Sequence, residues 1–159
     1  MLRRLLVKRV LEQMFLGTYQ HSLDTKGRII VPARFRDDLA EGGYVTRGLD
    51  RCLMVMTNEY FEAVYQRINA MNLADSATRA LRRLLFANAY FITPDKVGRI
   101  NLPQDLREFS MIESDTFVVG QGEYFEIWTP QLWQAEQESL ADVDANGERF
   151  TALDLSSKE

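Results

Sequence analysis

The residues best suited to chemistry lie in one short stretch, Asp24-Thr25-Lys26-Gly27-Arg28, whose pattern returns as Asp95-Lys96-Val97-Gly98-Arg99. In each, the carboxylate can accept hydrogen bonds from turn amides, glycine admits a positive φ, and the arginine leaves the turn on a strand. A guanidinium held this way can grip a phosphate or take a guanine edge through two parallel bonds. The competing reading is an ion pair in which the arginine only pins its own hairpin. Two arginines in equivalent places favour binding. Lys26, Arg28, Arg34 and Arg36 crowd eleven residues, against Lys96, Arg99 and Arg107 in the second stretch, so the first is the better candidate for a nucleic-acid face.

Catalysis finds little support. His21 is the sole histidine and Cys52 the sole cysteine, and neither has the spacing of a metal site or of a nucleophile with its base. The expectation is no enzyme activity, no metal, no cofactor and no small-molecule substrate. His21 falls on an alternating strand and reads as structural or surface. Cys52, among apolar neighbours, reads as a buried small hydrophobe. Gly120-Gln121-Gly122 joins two strands, so it is a hairpin turn and not a phosphate loop. Arg79, Arg82 and Arg83 form a stripe opposite leucines, read first as a solvated face or subunit contact and second as a phosphate contact. Trp128 and Trp133 go with the apolar positions, in the core or a subunit contact.

The elements that must carry these residues follow from an internal repeat. Asp24 to Arg36 recurs as Asp95 to Arg107, identical at six of thirteen positions. Further on, Tyr44-Val45 parallels Phe117-Val118, Leu53 to Thr57 parallels Phe125 to Thr129, and Phe61 parallels Trp133. A spacing of about seventy residues is too long for a solenoid and marks a tandem duplication. In each copy an alternating stretch, such as Tyr19, His21, Leu23, runs into the Asp-x-x-Gly turn and returns as Arg-Ile-x-Val/Leu, which is a β-hairpin. Pro32 and Pro103 open short helices, Pro32 to Leu39 and Pro103 to Phe109. Two more strands follow in each copy, YVTRG and CLMVM in the first, TFVVG and YFEIW in the second.

Thr57 and Thr129 are N-cap candidates, with Pro130 at the first position of the second helix. Between the copies, Phe61, Val64, Tyr65, Ile68 and Met71, then Ala77, Ala80, Leu81, Leu84 and Leu85, recur at helical spacing and predict a helical hairpin. After Glu136 the chain turns acidic and reads as a frayed helix with a tail. Four strands and one short helix cannot close a core alone, so the copies should complete one another, interleaving hairpins into one pseudo-symmetric barrel.

With 159 residues, 46% of them hydrophobic, the chain has the composition of a soluble globular protein. Its apolar runs are too short for a membrane span, and a single cysteine suits a reducing cytosol. The net charge of −4 weighs against nucleic acid. It is unevenly spread: residues 1–13 carry +3, residues 136–159 carry −5, and the body between carries −2. A nearly neutral body can present a basic face where its positive charges converge, and oligomerisation multiplies that face. Leu2, Leu5, Leu6 and Val10 would share one face of an amphipathic basic arm. The bland alternative starts the protein at Met14, where MFLGTYQHSLD reads as the beginning of a domain.

Taken together, MFLGTYQHSLDTKGRIIVPARFR, TRGLDRCL and DKVGRINLP closely resemble the MraZ family of bacterial regulators, from Met14 to about Trp133. The resemblance implies an α+β, β-rich fold, a tandem SpoVT-AbrB-like swapped-hairpin β-barrel with a helical-hairpin linker and a C-terminal helix. The expected divisions are a basic extension (1–13), repeat one (18–60), the helical linker (61–88), repeat two (89–132), and a C-terminal helix with acidic tail (133–159). The resemblance also implies a cytoplasmic, nucleoid-associated ring of identical chains that binds repeated promoter sites on double-stranded DNA in the division and cell-wall gene cluster, usually to repress. The family's Asp-x-x-x-Arg motif falls on Asp24 and Arg28 and again on Asp95 and Arg99. DNA contact is expected from Lys26, Arg28, Arg34, Arg36 and Arg99, with Asp24, Gly27, Asp95 and Gly98 shaping the turns. The rival reading is an oligomeric structural or protein-interaction module of the same fold.

Overall fold

The computed structural model describes residues 1–5 and 14–154. The basic arm's expected face therefore lies partly outside the described residues, at Leu6 and Val10, as does the end of the acidic tail. No helix among the described residues is long and apolar enough to cross a membrane.

Each copy has the same element order. The first runs β1 (Thr18–Ser22), β2 (Arg28–Ile30), α1 (Ala33–Arg36) with a 3-10 turn over Asp37–Leu39, β3 (Gly43–Arg47) and β4 (Leu53–Thr57). The linker supplies α2 (Asn58–Asn69) and α3 (Ser76–Phe86). The second copy runs β5 (Tyr90–Ile92), β6 (Arg99–Asn101), α4 (Gln104–Ser110), β7 (Asp115–Gly120) and β8 (Tyr124–Trp128), and is followed by α5 (Pro130–Leu140) and α6 (Val143–Phe150).

Six strands form one antiparallel sheet in the order β1-β7-β8-β4-β3-β5, and β2 pairs with β6 in a separate ribbon. The order is palindromic between the copies. The first strand of each crosses over to the third strand of the other, β1 to β7 and β5 to β3. Hydrogen bonding leaves β1 and β5 at open edges, and no closed barrel is found among the described residues.

Equivalent positions of both copies fill one core: Ile29 and Ile100, Val31 and Leu102, Phe35 and Leu106, Val45 and Val118. Phe35 and Phe125 close around Phe15, with ring centroids 5.0 and 5.1 Å from it. Removing such side chains from water contributes about 1.5–3 kcal/mol each, and here that burial is shared between the two copies. The helical layer is pinned at its ends. Thr57 caps α2 by accepting from the Tyr60 amide (3.1 Å), Asp75 caps α3 by accepting from Ala77 (2.9 Å), and the buried Thr46 hydroxyl donates to the Leu85 carbonyl (2.7 Å).

Three local expectations change. The turns at Asp24 and Asp95 are tight, but they do not close two-stranded hairpins: β1 pairs with β7, β5 with β3 and β2 with β6, and the arms of the first turn meet in the isolated Leu23–Ile29 bridge. Thr129 precedes α5 but makes no side-chain cap bond; Pro130 begins that helix with φ already set. The acidic segment is also more structured than its charge suggests, because Asp142 accepts from the Ala145 amide (3.0 Å) and opens α6. An Asp just before a helix-compatible run was the signal available in the sequence.

Candidate nucleic-acid interface

Each Asp-x-x-Gly-Arg segment folds into a turn organised by one carboxylate. Asp24 Oδ1 accepts from the amides of Lys26 and Arg28, both at 2.9 Å, and Oδ2 accepts from Arg28 Nε at 2.8 Å. The second turn repeats this: Asp95 Oδ1 accepts from Val97 (3.0 Å) and Arg99 (2.9 Å), and Oδ2 accepts from Arg99 Nε at 2.7 Å. The Arg28 amide, the Arg28 side chain and the Lys26 amide hold the Asp24 carboxyl below the usual carboxylate range, against the opposing pull of desolvation; Asp95 is lowered in the same way by Arg99 and Val97. Gly27 and Gly98 sit at φ 77° and 84°, where a Cβ would strain the backbone.

Both turns meet on the ribbon. In the β2–β6 register Ile29 faces Ile100 and both are buried, while Arg28 lies opposite Asn101 and Ile30 opposite Arg99. Alternation therefore sends Arg28, Arg99, Ile30 and Asn101 to the outer face. Arg99 Nη1 also comes within 4.0 Å of Asp24 Oδ2, so one carboxylate touches the arginines of both copies. Each guanidinium is about one-third exposed. The pinning ion pair and the binding orientation are thus present together: Nε is committed to aspartate, and the strand aims the side chain outward.

The other expected contacts divide. Lys26 stands exposed at the tip of the first turn, and Arg34 is exposed on α1. Arg36 is half-buried; its Nε donates to the Val31 carbonyl (2.9 Å), and its side chain lies against Gly98 of the opposite copy. Arg107, not singled out as a site residue, mirrors it, with Nε on the Leu102 carbonyl (2.9 Å) and its guanidinium against Gly27. The clue in the sequence was that Arg36 and Arg107 hold the same place in the repeat.

Groups outside the ribbon have other roles. His21 has its pKa lowered by burial and by the nearby Arg36 cation. Cys52 is fully buried beside Glu126 (Sγ to Oε2, 3.3 Å), and burial pushes its thiol far up, away from reactivity. Arg79 Nη1 donates to the Leu73 and Ala74 carbonyls and Arg82 Nη1 to Asn69 Oδ1, tying the linker hairpin together. Trp133 of α5 packs on Trp128 at the end of β8, ring centroids 5.7 Å apart. A groove of about 550 Å³ lies elsewhere, and Asp37, Asp38, Glu41, Glu59 and Glu123 in its lining make it unsuited to phosphate.

Comparison with known proteins bears on this arrangement. The family model for MraZ protein matches twice in succession, over residues 14–84 and 85–154. A transcriptional regulator MraZ from Roseiflexus sp. (strain RS-1) is 42% identical over 137 residues, covering 86% of this chain and 94% of the relative. One from Thermomicrobium roseum is 41% identical over 128 residues, covering 80% and 90%, and one from Carboxydothermus hydrogenoformans is 40% identical over 136, covering 81% and 95%.

Proposed function

The chain belongs to the MraZ family, and on that footing we propose that it is a transcriptional regulator that binds double-stranded DNA sequence-specifically. The observation that carries the reading is the ribbon: two Asp-x-x-Gly-Arg turns from separate copies place Arg28 and Arg99 on one outward face. Arginines whose Nε is already held by an aspartate carboxylate lose little further freedom on binding, which suits bidentate recognition of a base edge or a phosphate. Lys26 and Arg34 extend the positive surface along the first copy, so that copy is the stronger reader. Asp24, Gly27, Asp95 and Gly98 keep the turns in shape.

In the fuller reading, the hairpins exchange as in a SpoVT-AbrB-like swapped-hairpin barrel, a reading supported by the crossing of β1 to β7 and β5 to β3. Identical chains form a ring in the cytoplasm, associated with the nucleoid. Each ribbon engages one of several repeated promoter sites of the division and cell-wall gene cluster, and occupancy represses it. Several modest contacts then act as one through effective concentration, which reconciles DNA binding with a net charge of −4.

Arg28→Ala is the direct test, in a gel shift against the DNA upstream of the protein's own gene. Specific binding should be lost while light scattering reports an unchanged oligomer. Unchanged affinity would remove Arg28 from the interface and the proposal with it.

A further inference from the structure

We infer that Arg107 and Arg36 are positioning residues, each bracing the hairpin turn of the opposite copy, so that the Lys26–Arg28 turn of the first copy is set by Arg107 of the second. The DNA arm of this inference rests on the function proposed above; its structural arm does not.

Three contacts close a small circuit on each side. The Leu102 amide donates to the Gly27 carbonyl (2.8 Å), Arg107 Nε donates to the Leu102 carbonyl (2.9 Å), and the Arg107 guanidinium lies on Gly27. A Cβ at Gly27 would meet Arg107 Cζ at 3.0 Å. On the other side the Val31 amide donates to the Gly98 carbonyl (2.8 Å), Arg36 Nε donates to the Val31 carbonyl (2.9 Å), and a Cβ at Gly98 would meet Arg36 Cζ at 2.7 Å. Glycine is therefore required twice over at each turn, by its φ and by the guanidinium resting on it.

The ribbon needs such a brace. β2 and β6 share only three residue pairs, a length at which an isolated two-stranded ribbon is marginal. Asp24 and Asp95 shape each turn within its own copy, and across the copies Asp24 only approaches Arg99, at 4.0 Å. The two arginines add a closer brace, the planar guanidinium covering the opposite turn's backbone while Nε holds the carbonyl just past its own copy's ribbon strand. Their Nε atoms are held by the Val31 and Leu102 carbonyls, whereas those of Arg28 and Arg99 are held by Asp24 and Asp95.

Arg107→Lys tests this, because lysine keeps a positive charge that would preserve a phosphate contact but cannot lay a planar group on Gly27. Hydrogen–deuterium exchange on the intact free protein should show faster exchange over residues 24–28, with residues 95–99 unchanged; Arg36→Lys should give the reverse pattern. Affinity for the upstream DNA should fall about tenfold in Arg107→Lys. Exchange changes confined to α4 would overturn the brace, as would wild-type affinity in Arg107→Lys alongside a loss in Arg107→Ala, the mark of a direct charge contact. Should Arg107→Lys fail to fold, the Arg36→Lys pattern over residues 95–99 decides the matter by itself. If Arg28→Ala leaves DNA affinity unchanged, the proposed function fails, while the exchange patterns still judge the brace.

Discussion

Asp24 illustrates how much of the proposed interface one side chain organises: it satisfies two turn amides, holds Arg28 through Nε and reaches Arg99 of the other copy. Asp95 and His21, like Asp24, have folded pKa values below their ordinary ones. A group lowered on folding adds stability that is complete above its unfolded pKa and is lost as pH falls through its folded one. His21 acts first: stability should begin to fall below about pH 6.5, its ordinary value, as protons bind the unfolded chain preferentially. The two aspartates follow only below about pH 4. Thermal melts of His21→Gln should therefore show a flatter decline than the parent between neutral pH and about pH 5. Identical slopes would show that His21 is not the group responsible. At this scale the sequence was informative: Asp, Gly and Arg at fixed offsets specify a turn because the bonds that build it are local. Arg36 was less legible. Its spacing placed it with the expected DNA contacts, while its packing against Gly98, sixty-two residues on, is a contact that no local rule announces.

Among the elements, the β2–β6 ribbon links core to interface. Its inward residues, Ile29 and Ile100, are each 1% exposed and face one another, while its outward residues carry the arginines. Ile100→Ala should cost about 2–5 kcal/mol of stability, as for other large-to-small changes in a packed core. It should also weaken DNA binding through the first copy's turn, although residue 100 belongs to the second. Denaturant melts and a gel shift on the same sample check both effects; a loss under about 1 kcal/mol would mean the ribbon is not part of the core. The β3–β4 and β7–β8 hairpins, the short proline-led helices and the helical linker were readable from period and punctuation; the hairpins expected across the Asp24 and Asp95 turns were not, because the strands leaving each turn pair with the other copy instead. The pairing of those strands was not, since β1 with β7 and β5 with β3 are long-range choices between near-identical copies. The need for mutual completion was inferable from size; that β2 and β6 pair in a ribbon apart from the six-stranded sheet was not. Helix α6 was missed because an acidic, aromatic-poor segment was read by composition and not by its Asp142 cap.

Across the whole molecule, duplication has a functional consequence. Two copies in one chain bring two equivalent arginines together on one ribbon, and in the proposed function the differences between the copies make the first the stronger reader. Lys26 at the first tip is replaced by Val97 at the matching place in the second, and Arg34 by Asp105. An acidic chain with a local basic face should bind DNA weakly as a single unit and strongly as an assembly. The central property is that this binding reads sequence. The affinity of the intact protein for the DNA upstream of its own gene, titrated beside a scrambled duplex of equal length at two salt concentrations, is the most direct measurement. The account predicts at least about a thousandfold preference for the upstream DNA, with affinity for both duplexes falling as salt rises. Equal affinity for the two duplexes, or binding indifferent to salt, would contradict it.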